Sequence, residues 1–359
     1  MSTLPRGRFV QSHDGDRSQL AILVISCLGV LLAATTLFSL TAGASDASAS
    51  TILLDLFGRA DAVSVRDRVI IYDIRLPRIV LGVLVGAALA VSGAVMQGLF
   101  RNPLADPGLV GVSSGAGLGA VMMIVLGAGY LAPVGKLLGI MALPVMAFMG
   151  GLCATLILYG VATRQGRTSV ATMLLAGIAL SALTLALTGI LIFMADDQQL
   201  RDLTFWQLGS LAGATWPKII AVGPIIVAAL AATPFIARGL NALAFGELTA
   251  GHLGVPVQRL KYAAVLSVSA AVGAAVAVSG GIGFVGIIVP HLLRLVIGPD
   301  NRYLLPASAL LGATLLLLAD AAARTIVAPA ELPIGIVTAL AGAPFFLWIL
   351  LRKRGVVDL

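Results

Sequence analysis

Ten apolar stretches of about twenty residues each, divided by short segments that hold nearly every charge, make up most of this chain. Such a pattern leaves few folds open. In hydrocarbon no water satisfies the backbone N–H and C=O groups, so each crossing segment must bond them internally, as a helix does. Read between charges and breakers, the spans fall at 19–41, 79–100, 109–129, 138–163, 168–194, 217–237, 257–279, 281–297, 303–321 and 332–351. Composition agrees: 59% of residues are hydrophobic and 11% charged, against about 25% charged in a soluble domain. The expected fold class is an all-α integral membrane protein, with a single domain over 1–359.

The division of Tyr262 to Leu293 decides the topology, because these 32 residues contain no Asp, Glu, Lys or Arg. They read as one long tilted helix or two short ones. Paired Gly280-Gly281 favours a break. Charge bias favours it too, since Lys and Arg in short loops prefer the cytoplasm. With ten spans and the N-terminus inside, the inner segments hold 14 of the 23 Lys and Arg; fusing the two spans leaves 10 inside. Both termini are therefore expected inside, with 1–18 an inner tail and 42–78 an outer loop.

The small residues of "ASDASAS" would suit a signal-peptide cleavage site, but the preceding apolar core of about twenty residues exceeds the ~7–15 of a signal peptide. The first segment is expected to remain as a span. The net charge of +7 is scattered through loops, which suits membrane lipid and inner-face bias and offers no basic tract for nucleic acid. Cys27 and Cys153 lie in separate spans, so no disulfide framework is indicated.

A shift of 187 positions lays Ala88, Ala90, Val91, Ser92, Gly93 and Pro103 on Ala275, Ala277, Val278, Ser279, Gly280 and Pro290. The two copies lie five spans apart, and an odd separation makes the halves cross in opposite directions. This is an inverted repeat, a design that builds translocation paths between halves from short or interrupted helices rich in small residues. Asn102, Pro103 and Asp106 mark where span 2 ends at the inner face, because Pro cannot continue the helix.

Reaction chemistry is hard to find. His13, His252 and His291 share no metal-ligand or catalytic spacing, and no phosphate-cradling Gly-rich loop with a following Lys occurs. No catalytic or metal-binding residue is assigned. His291, near the inner end of span 8, reads as structural. Asp320 is the deepest acidic candidate for ion coupling, yet Arg324 at i+4 offers it an intrahelical partner. The energy source is expected in another subunit; an ion-coupled secondary transporter is the alternative of a different class. The inner segment "RGLNALAFGELTAGHLGVPVQRLK" reads as a short helix after an N-cap at Asn241, with Leu243, Ala244, Leu248 and Leu253 near helical spacing and Gly254 and Pro256 as stops. It suits a mechanical link or an interfacial helix lying on lipid.

From Arg75 onward the chain resembles the permeases of bacterial ABC importers for iron-siderophores, haem and cobalamin, the type II importer fold. The resemblance is carried by "RLPR", "SGAVMQGLFRNPLADPGLVGVSSGAG", "FWQLGSL", "LAFGELTAGHLGV", "GGIGFVGIIVPHLLRL", "LLPASALLGATLLLLAD" and "ELPIGIVTALAGAPFF". It implies a ten-helix subunit in the inner membrane, paired with a second copy of itself, two cytoplasmic ATPase subunits below and a periplasmic binding protein above. ATP and Mg would be bound by the ATPase, and no cofactor by this chain.

Residue by residue, the resemblance implies that Arg75, Arg78 and Arg324 face outward to acidic residues of the binding protein. Asn241, Phe245, Gly246, Glu247, Leu248 and His252, in the inner loop 238–256, would dock into the ATPase. Asn102, Pro103, Leu104 and Ser169 match the family's cytoplasmic gate, where Val170 replaces a polar residue of cobalamin permeases. The segment Met194 to Trp216 is most similar to haem permeases, with siderophore and cobalamin as the other cargoes.

Overall fold

The structure, a computed structural model, describes residues 17–41, 64–165, 167–328 and 330–352. Most of the expected inner tail, residues 42–63 of the expected outer loop, and Lys353 and Arg354 lie outside the described residues. The helices are α1 (Ser18–Thr41), α2 (Val65–Val69), α3 (Leu76–Phe100), α4 (Val112–Leu126), α5 (Ala132–Leu138), α6 (Ala142–Ala162) and α7 (Val170–Met194). They continue with α8 (Asp197–Leu208), α9 (Trp216–Leu243), α10 (Glu247–His252), α11 (Val257–Ser279), α12 (Val285–Ile297), α13 (Asn301–Thr325) and α14 (Ile334–Arg352). Among the described residues the only strands are β1 (Thr163–Arg164) and β2 (Arg167–Thr168), an antiparallel hairpin.

Among the described residues, seven helical runs are long and apolar enough to cross a membrane, and α4, α12 and α14 are shorter apolar helices. These ten match the ten expected spans. Three differences have local causes. The run from Val65 is helical without interruption, through a π-turn at Ile70–Arg75, into α3; residues 65–78 of the expected outer loop are thus helix. Helix α9 continues to Leu243, past the expected end at 237, because Ile236, Ala237 and Leu240 pack inward. Helix α8 forms in a connecting segment that apolar patterning left blank: Asp196 and Gln199 build a reciprocal capping box at its start, which satisfies two orphan N–H groups.

Helix α3 is the axis of the bundle, with 83% of its most apolar window buried against 17% for α7. It packs on α13, α12 and α11, and α11 packs on α6, α4 and α3. This is the pairing that an inverted repeat demands, with α3 and α11 as equivalents. They run oppositely: Arg78 at the start of α3 meets Asp320 in the last turns of α13, while Lys261 at the start of α11 meets Glu247 at the other end of the bundle. The symmetry fails at α1, which packs chiefly on α13 while its counterpart α9 packs on α11 and α3.

Small residues permit these contacts. A Cβ on Gly93 would lie 1.9 Å from the Gly286 carbonyl oxygen, and one on Gly115 would lie 2.4 Å from that of Gly150. Without a hydrophobic force between helices in lipid, such close backbone approach supplies the packing energy. The other half of the repeat uses its glycine differently. Gly280 ends α11 at φ +70°, where a Cβ would strike the Trp206 carbonyl oxygen at 2.0 Å.

Candidate functional site

At one end of the bundle, α1, α3 and α13 enclose a cluster of charge. Arg78 Nε donates to Asp320 Oδ1 at 2.9 Å, and its Nη1 donates to the Glu331 carboxylate at 2.9 Å. Arg324 Nε lies 3.1 Å from Asp320 Oδ2, the i,i+4 pair expected from sequence, and its Nη2 donates to Ser39 Oγ at 2.8 Å. Arg75 donates to the Leu40 carbonyl oxygen. Arg75, Arg78 and Arg324 are 4%, 7% and 6% exposed. The expectation that all three present their charge outward is corrected here. A buried cation is tolerable only against matched acceptors, and these three face acceptors inside the chain. Glu331, with its side chain 39% exposed, brings the cluster to the surface.

The opposite end carries a knob. Gly246, at φ +102°, turns the chain out of α9 and into α10. Phe245 and Leu248 stand 75% and 83% exposed, Leu253 follows at 65%, and His252 is the exposed last residue of α10. Exposed apolar side chains grouped in this way mark an interaction surface. Leu243, expected on the same helix face, is instead buried in α9.

Asn241 is not the expected N-cap. It lies within α9, where its Nδ2 donates to Asp300 Oδ1 at 2.7 Å and its Oδ1 accepts from the Asn301 N–H at 2.9 Å, bracing the knob against the start of α13. Burial pushes the Asp300 carboxyl up, but hydrogen bonds from Arg302 and Asn241, with the Arg302 charge, outweigh it and hold the group below the usual carboxylate range.

The residues expected to form a gate lie at this same end. Helix α3 stops where Arg101 adopts φ +51°, and Asn102, Pro103 and Leu104 follow in exposed turns; Asn102 Oδ1 accepts from the Leu104 N–H at 2.9 Å. Ser169 is the N-cap of α7, its Oγ accepting from the Thr172 N–H at 3.3 Å. Among the described residues no hydrogen bond joins Asn102 or Leu104 to Ser169.

Between the two ends, adjoining cavities of about 420 and 340 Å³ share Ser113, Gln207, Val276 and Gly281. Their walls include hydroxyls of α4 and α7, with Ser181 Oγ donating to Ser114 Oγ at 3.3 Å. The chain folds back here twice. Asp106 Oδ1 accepts from the Gly108 N–H at 2.7 Å before α4, and Phe284, at φ +68°, opens α12. Burial raises the Asp106 carboxyl, and the Gly108 bond only partly opposes it. Sequence reading passed over these wall residues, because scattered Ser, Thr and Gln in apolar helices have no distinctive spacing. The left-handed Phe284 is equally silent in sequence, since only packing against Gly342 and the cavity shows it.

The FecCD transport family model matches residues 31–352. The hemin transport system permease protein HmuU of Yersinia pestis is 49% identical over 79% of this chain and 83% of its own. The cobalamin import system permease protein BtuC of Halobacterium salinarum is 47% identical over 80% and 75% of the two chains. A solved metal-chelate type ABC transporter, in an inward-facing conformation, superposes with a TM-score of 0.79 at 31% identity, covering 92% of this chain and 99% of its own.

Proposed function

The chain belongs to the FecCD transport family, and from that premise we propose that it conducts haem from periplasm to cytoplasm as one half of a permease homodimer. Membership decides between the importer and ion-coupled readings: the chain is the permease subunit of an ABC importer. For haem in particular, the supporting observation is the 49% identity to the hemin permease. A ferric siderophore or cobalamin is the second reading, favoured by the 47% identity to a cobalamin permease.

In this proposal the subunit sits in the inner membrane with both termini cytoplasmic. The periplasmic binding protein docks at the Arg75, Arg78 and Arg324 end, where Glu331 is the surface member. Cargo then passes the hydroxyl-lined cavities and leaves by Asn102–Leu104 and Ser169. Two ATPase subunits, holding ATP and Mg, receive the knob of Phe245, Gly246, Glu247, Leu248 and His252, which Asn241 braces. Hydrolysis belongs to those partners. This chain supplies the path and the moving walls.

The test is reconstitution with the ATPase and a haem-loaded binding protein in liposomes. ATP hydrolysis rises on adding loaded binding protein, haem enters in preference to cobalamin, and Glu247→Arg uncouples the two. Cobalamin uptake exceeding haem uptake would transfer the cargo assignment, and unchanged coupling in Glu247→Arg would remove α10 from the drive.

A further inference from the structure

Lys261 is the bulkiest of the fully buried side chains, at 2% exposure. A lysine so placed needs strong partners for its ammonium. Its Nζ lies 2.7 Å from Glu247 Oε1 on α10 and donates to the Thr168 carbonyl oxygen at 2.7 Å. One turn earlier on α11, Gln258 Oε1 accepts from the Thr168 N–H at 2.9 Å. Helix α11 therefore grips both backbone polar groups of Thr168. The next residue is Ser169, which caps α7.

We infer that Lys261 is the positioning residue that carries movement of α10 into Ser169 and α7; the inference rests on the coupling role proposed above for α10. Helix α10 packs on α9 and α11. The route through α9 leads by Asn241 to Asp300 and α13, and by packing onto α3, rather than to Ser169 and α7. The route through Lys261 leads to the hairpin and the first turn of α7. Both of its bonds are charge-assisted and short, so they leave little slack.

The two ends of the tie differ in a useful way. The ammonium is dry, while Glu247 keeps 42% of its side-chain exposure. A subunit that covers α10 removes water from Glu247, and the attraction between the charges grows as the local dielectric falls. Docking thus tightens the connection at the moment force arrives.

The experiment uses the permease with its ATPase subunits in liposomes, in a background lacking Cys27 and Cys153, with spin labels at Arg167→Cys on the exposed side of the hairpin. In the parent complex, nucleotide changes the distance between the two labelled copies. Lys261→Met abolishes that change and lowers haem delivered per ATP at least tenfold, while Lys261→Arg restores both in part. A parent-like distance change and stoichiometry in Lys261→Met overturns the inference.

If Lys261→Met does not assemble, Glu247→Gln, altered only at the wet end of the tie, is measured in the same way, and parent-like behaviour there overturns it equally. Failure of the underlying reading looks different. Leu248→Cys then forms no cross-link to the ATPase, whereas a normal cross-link beside a silent Lys261→Met sinks the tie alone.

Discussion

Gly93→Ala tests the packing on which both the bundle and its cavity depend. The added Cβ would sit 1.9 Å from the Gly286 oxygen, 2.5 Å from its carbonyl carbon and 2.6 Å from its Cα. Every obstruction is backbone, so no side chain can rotate away. Restoring an ordinary contact of about 3.4 Å moves α12 by roughly 1.5 Å, a shift that cores resist because they are close-packed. It also strains the bond that Gln97 Nε2 donates to that oxygen at 3.3 Å. Overpacking costs ~1–3 kcal/mol, and a rigid obstruction belongs at the upper end. Replacing a helical Gly returns about 1 kcal/mol, leaving a net loss of about 2 kcal/mol.

Gly160→Ala is the control, because nothing lies within 4 Å of its Cβ position, and only the gain of up to ~1 kcal/mol applies. The two variants should therefore differ by about 3 kcal/mol, roughly a hundredfold in the folding equilibrium. Detergent-purified protein unfolded by heat or by SDS titration measures the gap. If Gly93→Ala proves as stable as Gly160→Ala, the close approach of α3 and α12 is wrong.

Further substitutions address the ends of the bundle and the cavity between them. Asp320→Asn leaves Arg78 and Arg324 short of their shared buried carboxylate and should cost about 3 kcal/mol, whereas Glu331→Gln, at the exposed edge, should cost under ~1 kcal/mol; equal thermal shifts would contradict the assigned burial. Asn241→Leu removes the acceptor of the Asn301 N–H and a donor to Asp300, about 2 kcal/mol, and should speed hydrogen exchange at Asn301 and Arg302 in particular. Asp106→Asn keeps an oxygen for the Gly108 N–H and should be nearly neutral, while Asp106→Ala loses about 1 kcal/mol; a large loss for Asn would mean that the charge, rather than the turn, matters there.

The sequence by itself determined the ten spans, their opposed halves and the break at Gly280. Those follow from rules that act within one segment: an apolar run long enough for hydrocarbon, a residue that cannot continue a helix, and the sidedness of Lys and Arg. The Asp320–Arg324 pair was legible for the same reason, since four residues along a helix fixes the distance. Motif resemblance added which residues to group at each end.

Only the tertiary structure decided what those residues touch. Arg75 and Arg78 read as free charges along the chain and Arg324 as the partner of Asp320 alone, but the acceptors on α1, on α13 and at Glu331 that hold them come from segments far apart in sequence. Asn241 matched an N-cap by residue type, yet α9 runs through it because its neighbours bury an apolar face. Lys261 drew no notice as one more charge at a span boundary; it became a tie between three elements once the fold brought Glu247 and Thr168 to the same ammonium. Local patterning fixes where helices begin and end, because hydrogen bonds within a segment decide that. Partners across the bundle are chosen by packing, which no single segment records.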